Sequence, residues 1–283
     1  MRTRLRHPFS KPIGLLLCLA LSVFHACAAS DAGTEATKEQ DLSILLVGNS
    51  LLYYNDAPRI LRAILDGNDV HPARIDMIAA PGASSIDHVV SGRVADALLE
   101  HARTHVFIQE KGGLLLCMDS ARTANSIACR KIGEAERELA RAAQQTGAHV
   151  FLVDTYQDLP EAQRALARGE RVLASKVGAS GVLPWGDALG LLRTRYPAGQ
   201  WMAQDGAHPG SDASVLVAVL MYQAMVGAWP DMERVRLATC ATDAVAGLST
   251  PHVSEQSDCP CGNIDGPRWN AMIGTVRDAL QTR

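Results

Sequence analysis

Leu45-Leu46-Val47-Gly48-Asn49-Ser50 is an apolar run that breaks abruptly into a small, polar turn. Apolar side chains at every position, rather than at alternate ones, suit a strand buried on both faces. The polar break then marks where that strand leaves the sheet. Working outward, Ile44 to Val47 is the first of five such runs, followed by Ile75 to Ala79, His105 to Ile108, His149 to Val153 and Gly181 to Leu183.

Between these runs the periodicity changes. Ile132, Ala135, Leu139 and Ala142 recur at spacings of three and four within the charged segment Arg130 to Thr146, and Gly147 stands where a C-terminal cap belongs. After the first run the next helix is expected to start only at about Asp56 or Pro58. Ala213 to Trp229 is almost wholly apolar, yet it contains Ser214 and Gln223, lacks a basic flank and follows an Asp/Ser cap signal. A buried helix is therefore expected rather than a membrane span. Residues 231 to 266 read as irregular and Cys-containing, and a last helix runs from about Pro267 to Leu280. Strands alternating with helices predict an α/β fold: a parallel sheet covered on both faces, joined by right-handed crossovers. Sheets of this kind bind ligands at the carboxyl ends of their strands.

The chain has 283 residues, 47% of them hydrophobic, enough for a full core. Arg2, Arg4, Arg6 and Lys11 precede the apolar run Ile13 to Phe24 and the small residues Ala26, Cys27, Ala28 and Ala29, which is the pattern of a secretory signal peptide. Residues 1–28 are read as that signal, 29–40 as a flexible linker, and 41–283 as a single domain with a Cys-containing excursion over 231–266. Removing the four basic side chains of the signal takes the formal net charge from -3 to -7. An acidic surface argues against nucleic-acid or anionic-membrane partners. The expected location is periplasmic or secreted, the alternative being a lipoprotein anchored through Cys27, in which case a membrane is also a partner. Export permits disulfides, with Cys117 and Cys129 flanking one loop, while Cys240, Cys259 and Cys261 leave their pairing open.

A serine at the carboxyl edge of a first parallel strand is exposed and lies near backbone N–H donors, which makes Ser50 a candidate nucleophile. Leu52 stands two residues later, so the G-x-S-x-G elbow does not fit. Gln204-Asp205-Gly206-Ala207-His208-Pro209-Gly210 forms a turn-rich loop before the apolar helix. Asp205 and His208, three apart, can share one turn. There His208 can take a proton from a serine hydroxyl while Asp205 sets its tautomer.

Gly48-Asn49-Ser50 after the first strand, together with Asp205-x-x-His208-Pro209 before the last large helix, resembles the SGNH/GDSL hydrolase family. The first block of that family usually reads Gly-Asp-Ser, and Asn49 here stands in for the aspartate, as in GNS-type branches. The resemblance spans roughly Ser43 to Trp229. It implies a flavodoxin-like three-layer α/β/α sandwich and hydrolysis of carboxylic esters, with no metal and no cofactor. Gly82, in Ala80-Pro81-Gly82-Ala83-Ser84-Ser85, matches the glycine whose N–H helps hold the oxyanion. The third block, normally Gly-x-Asn-Asp, is replaced by Ile108-Gln109-Glu110-Lys111-Gly112-Gly113, where Gln109 is the best substitute for the missing asparagine.

The resemblance thus implies an exported serine esterase with Ser50, Asp205 and His208 as its triad and Ser50, Gly82 and Gln109 as its oxyanion hole. Acetyl or acyl esters of glycans or lipids are the expected substrates, and the oligomeric state is left open. The alternative is an impaired SGNH-fold protein that binds glycans or mediates envelope interactions, motivated by the missing asparagine. His71, His88, His101, His105, His149 and His252 share no spacing and are read as surface or helix residues. A zinc site from Cys240, His252, Cys259 and Cys261 is disfavoured by the Cys-Pro-Cys spacing.

Overall fold

Ile44 and Leu46 of the first strand enter one apolar core, and Leu45 and Val47 enter another on the opposite face. This alternation is why every position of the run had to be apolar, and it identifies a central strand covered on both sides. A computed structural model provides the structure, which describes residues 42–239 and 262–281. The signal and linker segments, Cys27, Cys240, His252, Cys259 and Cys261 lie outside the described residues.

In chain order the elements are β1 (Ser43–Gly48), α1 (Ser50–Tyr53), α2 (Ala57–Gly67), β2 (Arg74–Ala79), α3 (Ser85–Ser91), α4 (Arg93–Glu100) and β3 (His105–Ile108). A 3-10 helix at Leu114–Asp119 then leads to α5 (Ala121–Ala124), α6 (Ile127–Gln145), β4 (His149–Val153), α7 (Pro160–Val177), β5 (Gly181–Leu183), α8 (Trp185–Arg195) and α9 (Ser211–Val226). The chain ends in a short antiparallel pair, β6 (Ala238–Thr239) and β7 (Gly262–Asn263), and α10 (Gly266–Gln281). The expected irregular stretch 231–266 thus contains this pair and a 3-10 turn at Met232–Arg234.

The five long strands form one sheet in the order β2-β1-β3-β4-β5, all parallel. That order is flavodoxin-like, and its switch point lies where β1 and β3 leave the sheet. One face is covered by α2, α8, α9 and α10, the other by α4, α6 and α7, which completes the three layers that the resemblance implies. Among the described residues no helix is long and apolar enough to cross a membrane. Helix α9 instead buries Ala213 through Tyr222 against the sheet and its neighbours.

Local signals account for most boundaries. Helix α6 starts earlier than the stripe suggested, because Ser126 caps it through the Cys129 N–H. It ends as expected: Gly147 adopts φ 85°, with Gly147 N–H bonded to Gln144 O and Ala148 N–H to Ala143 O, the Schellman pattern. Ala143 rather than Ala142 completes its buried stripe. The expected Asp/Ser cap of α9 is corrected. Gly210 is the N-cap, and Asp212 inside the first turn accepts from the Gln200 N–H (2.8 Å) and pairs with Arg268 of α10 (2.8 Å). Cys117 and Cys129 are joined by a disulfide that ties the 3-10 helix to the start of α6.

Helix α7 passes very close to that 3-10 helix at Gly169, where a Cβ would drive into the Leu115 carbonyl oxygen and lie 3.2 Å from Met118 Cβ. Backbone on both sides leaves little room to yield. Gly169→Ala is therefore expected to destabilise the protein by about 1–3 kcal/mol despite its better helix propensity. Urea denaturation of the two proteins measures this, and an unchanged or raised midpoint contradicts it.

Candidate active site

The end of β1 is held from several sides before the chain reaches Ser50. His88 of α3, buried, bonds through Nε2 to the Gly48 carbonyl at 2.7 Å. A side chain at Gly48 would meet Gln109 Oε1 at 2.7 Å and Leu52 Cδ1 at 2.9 Å, so only glycine lets these groups close in. Asn49, 2% exposed, donates its backbone N–H to Gln109 Oε1 at 3.2 Å. Its side chain donates from Nδ2 to the Ala83 carbonyl at 3.0 Å and accepts the Leu51 N–H at Oδ1, 3.1 Å. The last bond is an N-cap.

That cap corrects the reading that the next helix waits until about Asp56 or Pro58. A helical turn, α1, begins at Ser50 itself, and α2 follows with Asp56 as its cap. The first N–H groups of a helix have no intrahelical acceptor, and Asn49 Oδ1 takes that of Leu51 rather than that of Ser50. Ser50 is partly exposed, and its side chain lies close enough to the Tyr53 phenol to influence it. Burial raises that phenol, and the nearby Ser50 side chain acts against the rise.

Gly82 sits beside this end of β1 through the Asn49–Ala83 bond. Ala83 N–H bonds to Ala80 O at 3.1 Å, and Gly82 adopts φ 60°, so Pro81-Gly82 forms the centre of a type II turn, which needs glycine at its third position. Lys111 Nζ lies 3.6 Å from where a Gly82 Cβ would stand. Ser84 caps α3 in a reciprocal box with Asp87.

Gln109 is held firmly at the end of β3. It is 1% exposed, its Oε1 accepts the Asn49 N–H, and its Nε2 donates to the Glu110 carbonyl. Both ends of the carboxamide therefore have protein partners, and Gln109 bears on the site by bracing the turn that carries Ser50.

The Asp205–His208 loop is built as a tight unit. Asp205 Oδ1 accepts the Ala207 and His208 N–H groups, each at 2.9 Å, while Oδ2 meets His208 Nδ1 at 2.5 Å. These bonds, led by that to the imidazole, hold the Asp205 carboxyl down at about 2. With Nδ1 donating to Asp205, Nε2 is the nitrogen left to accept a proton. Neighbouring segments hold the loop in place. Tyr54 stacks on the His208 ring with centroids 4.5 Å apart and planes 8° apart. Asn55 Nδ2 donates to Pro209 O at 2.8 Å and to Ser214 Oγ at 2.9 Å. From the end of β4, the Tyr156 hydroxyl donates to Ala207 O at 2.7 Å.

The structure thus brings Asp205 and His208 into direct contact and seats them against the residues that follow Ser50, with Gly82 linked to the same strand end. Reading the sequence missed four supporting residues: Tyr54, Asn55, His88 and Tyr156. One signal was present, since two of the chain's five tyrosines, Tyr53 and Tyr54, stand just after the serine and precede Asn55. His88 is a helix residue, on α3, and is buried, whereas His105 is corrected from a surface or helix residue to a buried one on β3. Burial and the neighbouring His149 push His105 down to about 4, but it lies at the far, amino end of β3. Among the described residues no three His, Cys, Asp or Glu side chains converge as metal ligands.

Beneath the site lies a row of buried carboxyls. Glu110 accepts the Ser85 and Lys111 N–H groups, and Glu136 accepts the Ser85 hydroxyl at 2.5 Å while its Oε2 has no partner. Glu170 of α7 is also buried, with an unpartnered Oε2. Burial, then the proximity of Glu110, pushes Glu136 up to about 8. Glu170 is likewise raised, by burial first and then by Asp154, Glu136 and Glu110.

No protein-family model and no curated protein sequence matches the chain. Solved structures do. A DUF4886 family protein from Bacteroides uniformis is 14% identical, with a TM-score of 0.53 over 66% of this chain and 84% of that one. A lipase/acylhydrolase from Enterococcus faecalis is 15% identical, with a TM-score of 0.51 over 66% and 96%. A putative GDSL-like lipase from Parabacteroides merdae is 15% identical, with a TM-score of 0.50 over 66% and 96%. At such identities the likeness is one of fold, shared with proteins described as a lipase/acylhydrolase and a putative GDSL-like lipase.

The carboxyl row makes stability depend on pH. Glu136 has a folded value of about 8 against an ordinary 4.5, so the folded protein keeps a proton that the unfolded chain has lost. Stability from this group is full below about 4.5, declines as pH rises and levels off above about 8. Glu136→Gln is expected to flatten the fall in thermal midpoint across that window. An unchanged slope contradicts the assignment.

Proposed function

We propose that the chain is an exported serine esterase that hydrolyses carboxylic esters, with Ser50 as nucleophile, His208 as base and Asp205 as its orienting acid. The reading rests most on one observation: the hydrogen-bonded Asp205–His208 pair packs on Tyr54, one turn after Ser50, at the carboxyl edge of β1. The fold shared with proteins described as lipases supports it. Export is inferred from the basic and apolar amino-terminal pattern and fits the Cys117–Cys129 disulfide. A periplasmic or secreted protein follows from cleavage after the signal, and a membrane-anchored one from lipidation of Cys27.

In this mechanism His208 Nε2 takes the Ser50 hydroxyl proton as Oγ attacks the ester carbonyl carbon. The negative oxygen of the tetrahedral intermediate is stabilised by the N–H groups of Ser50 and Gly82. As the intermediate collapses, the bond to the leaving oxygen breaks and His208 passes the proton to it, releasing an alcohol. Water then attacks the acyl-enzyme, His208 removes its proton, and Ser50 leaves reprotonated as the carboxylic acid departs. Asp205, held ionised well below neutral pH, stabilises the imidazolium at each step. Acetyl or acyl groups on glycans or lipids are the substrate classes suited to an exported enzyme.

A second reading has one observation in its favour. The Gln109 carboxamide is bonded at both its oxygen and its nitrogen within the protein, which suits a relative that binds ligands without rapid turnover. A fluorophosphonate probe and p-nitrophenyl acetate separate the two. The esterase reading expects probe labelling of the wild type, none of Ser50→Ala, and hydrolysis lowered by up to about 10⁴-fold in Asp205→Asn. A folded wild-type protein that neither labels nor hydrolyses leaves the binding role.

A further inference from the structure

We propose that Tyr54 is a positioning residue for His208, its ring holding the imidazole plane so that the nitrogen not bonded to Asp205 is presented to Ser50. This rests on the triad reading and extends it to the segment that follows the nucleophile. Asp205 bonds the His208 backbone N–H and, on the ring, Nδ1 alone, and one hydrogen bond to the ring leaves it able to swing about that axis. His208 also keeps 30% of its side chain exposed, so close packing does not confine it on every side. The near-parallel stack at 4.5 Å supplies the missing restraint, because rotating the imidazole would part the two faces. A tyrosine face also attracts cations, which favours the imidazolium formed as Ser50 loses its proton.

Chain geometry makes this restraint specific to the nucleophile. Tyr54 N–H bonds to Ser50 O at 3.0 Å, so the stacked ring starts one helical turn, about 6 Å of rise, beyond the serine. The next residue, Asn55, donates to the carbonyl of Pro209, the residue after His208. Consecutive residues 54 and 55 on the nucleophile side thus grip consecutive residues 208 and 209 on the base side. The chain then turns sharply at Asp56, which adopts φ 56° and caps α2 through the Arg59 N–H at 3.3 Å. Ser50 and His208, far apart in sequence, are thereby registered through one short segment.

The test uses the full chain as wild type, Tyr54→Phe and Tyr54→Leu, with p-nitrophenyl acetate kinetics, fluorophosphonate labelling rates and proton–carbon spectra of the histidine rings. His208→Gln assigns the His208 signals. In the wild type the His208 ring protons are expected upfield, shifted by the Tyr54 ring current. In Tyr54→Leu that shift disappears, kcat and labelling rate fall by about 10²-fold and KM hardly moves, as misplacing a base affects the reacting geometry rather than substrate binding. Tyr54→Phe, which keeps the ring, restores both the shift and the rate. Three results would each overturn the proposal: unshifted His208 signals in the wild type, wild-type kcat in Tyr54→Leu, or equal losses in Tyr54→Phe and Tyr54→Leu. A wild type that shows the ring-current shift but neither labels nor hydrolyses would sink the esterase reading and, with it, any catalytic role for Tyr54, while showing that the stack exists.

Discussion

Asn49, through its side chain and its backbone N–H, connects the three strand ends around which the rest of the site is arranged. Its carboxamide caps α1 with its oxygen and holds the Ala83 carbonyl with its nitrogen, while its backbone N–H is taken by Gln109. One residue therefore links the carboxyl ends of β1, β2 and β3. An aspartate, the commoner residue at this position in the SGNH/GDSL pattern, could accept the cap but, when ionised, has no proton to offer Ala83. Asparagine satisfies both partners without burying a charge, which matters for a group shielded from water.

This arrangement explains why the turn carrying Ser50 can be partly exposed and still defined. Helix α1 is a single turn and would not hold its shape alone, since helix nucleation is costly and short helices are marginal in water. The cap, the His88 bond to Gly48 and the Gln109 bond to Asn49 supply that definition from outside the turn. The Asp205–His208 loop is treated in the same way. Tyr54 and Asn55 hold it from the β1 side and Tyr156 from the β4 side, so a loop with no regular structure is anchored at three points.

The carboxyl row under this scaffold shows the cost of such organisation. Glu110 is spent on orienting Ser85 and Lys111, the residues that follow Gly82 and Gln109, and Glu136 lies behind it against the Ser85 hydroxyl. Buried carboxyls so close together cannot all ionise, so shared protons keep the interior near neutral. Polar groups placed for the edge of the site are thereby tolerated within an otherwise apolar layer.

Much of the architecture was legible in the sequence. Continuous apolar runs identify strands buried on both faces, because a strand between two helical layers has no side free for polar residues, and each of the five runs forms a strand of the sheet. Gly147 announces the end of α6, since a positive φ there is costly for other residues. Asp205 and His208 were readable as a pair because their contact is local, closed within a single turn. What tertiary structure alone decided are the contacts between distant segments. Asn49 meets Ala83 and Gln109, Tyr54 meets His208, and Tyr156 meets Ala207 only after the sheet has ordered its strands. The partners of the Gln109 carboxamide, Asn49 and Glu110, are likewise set by what the fold brings within reach. Periodicity and turn chemistry are properties of neighbours along the chain. The orientation of a side chain at a strand end depends on neighbours across it.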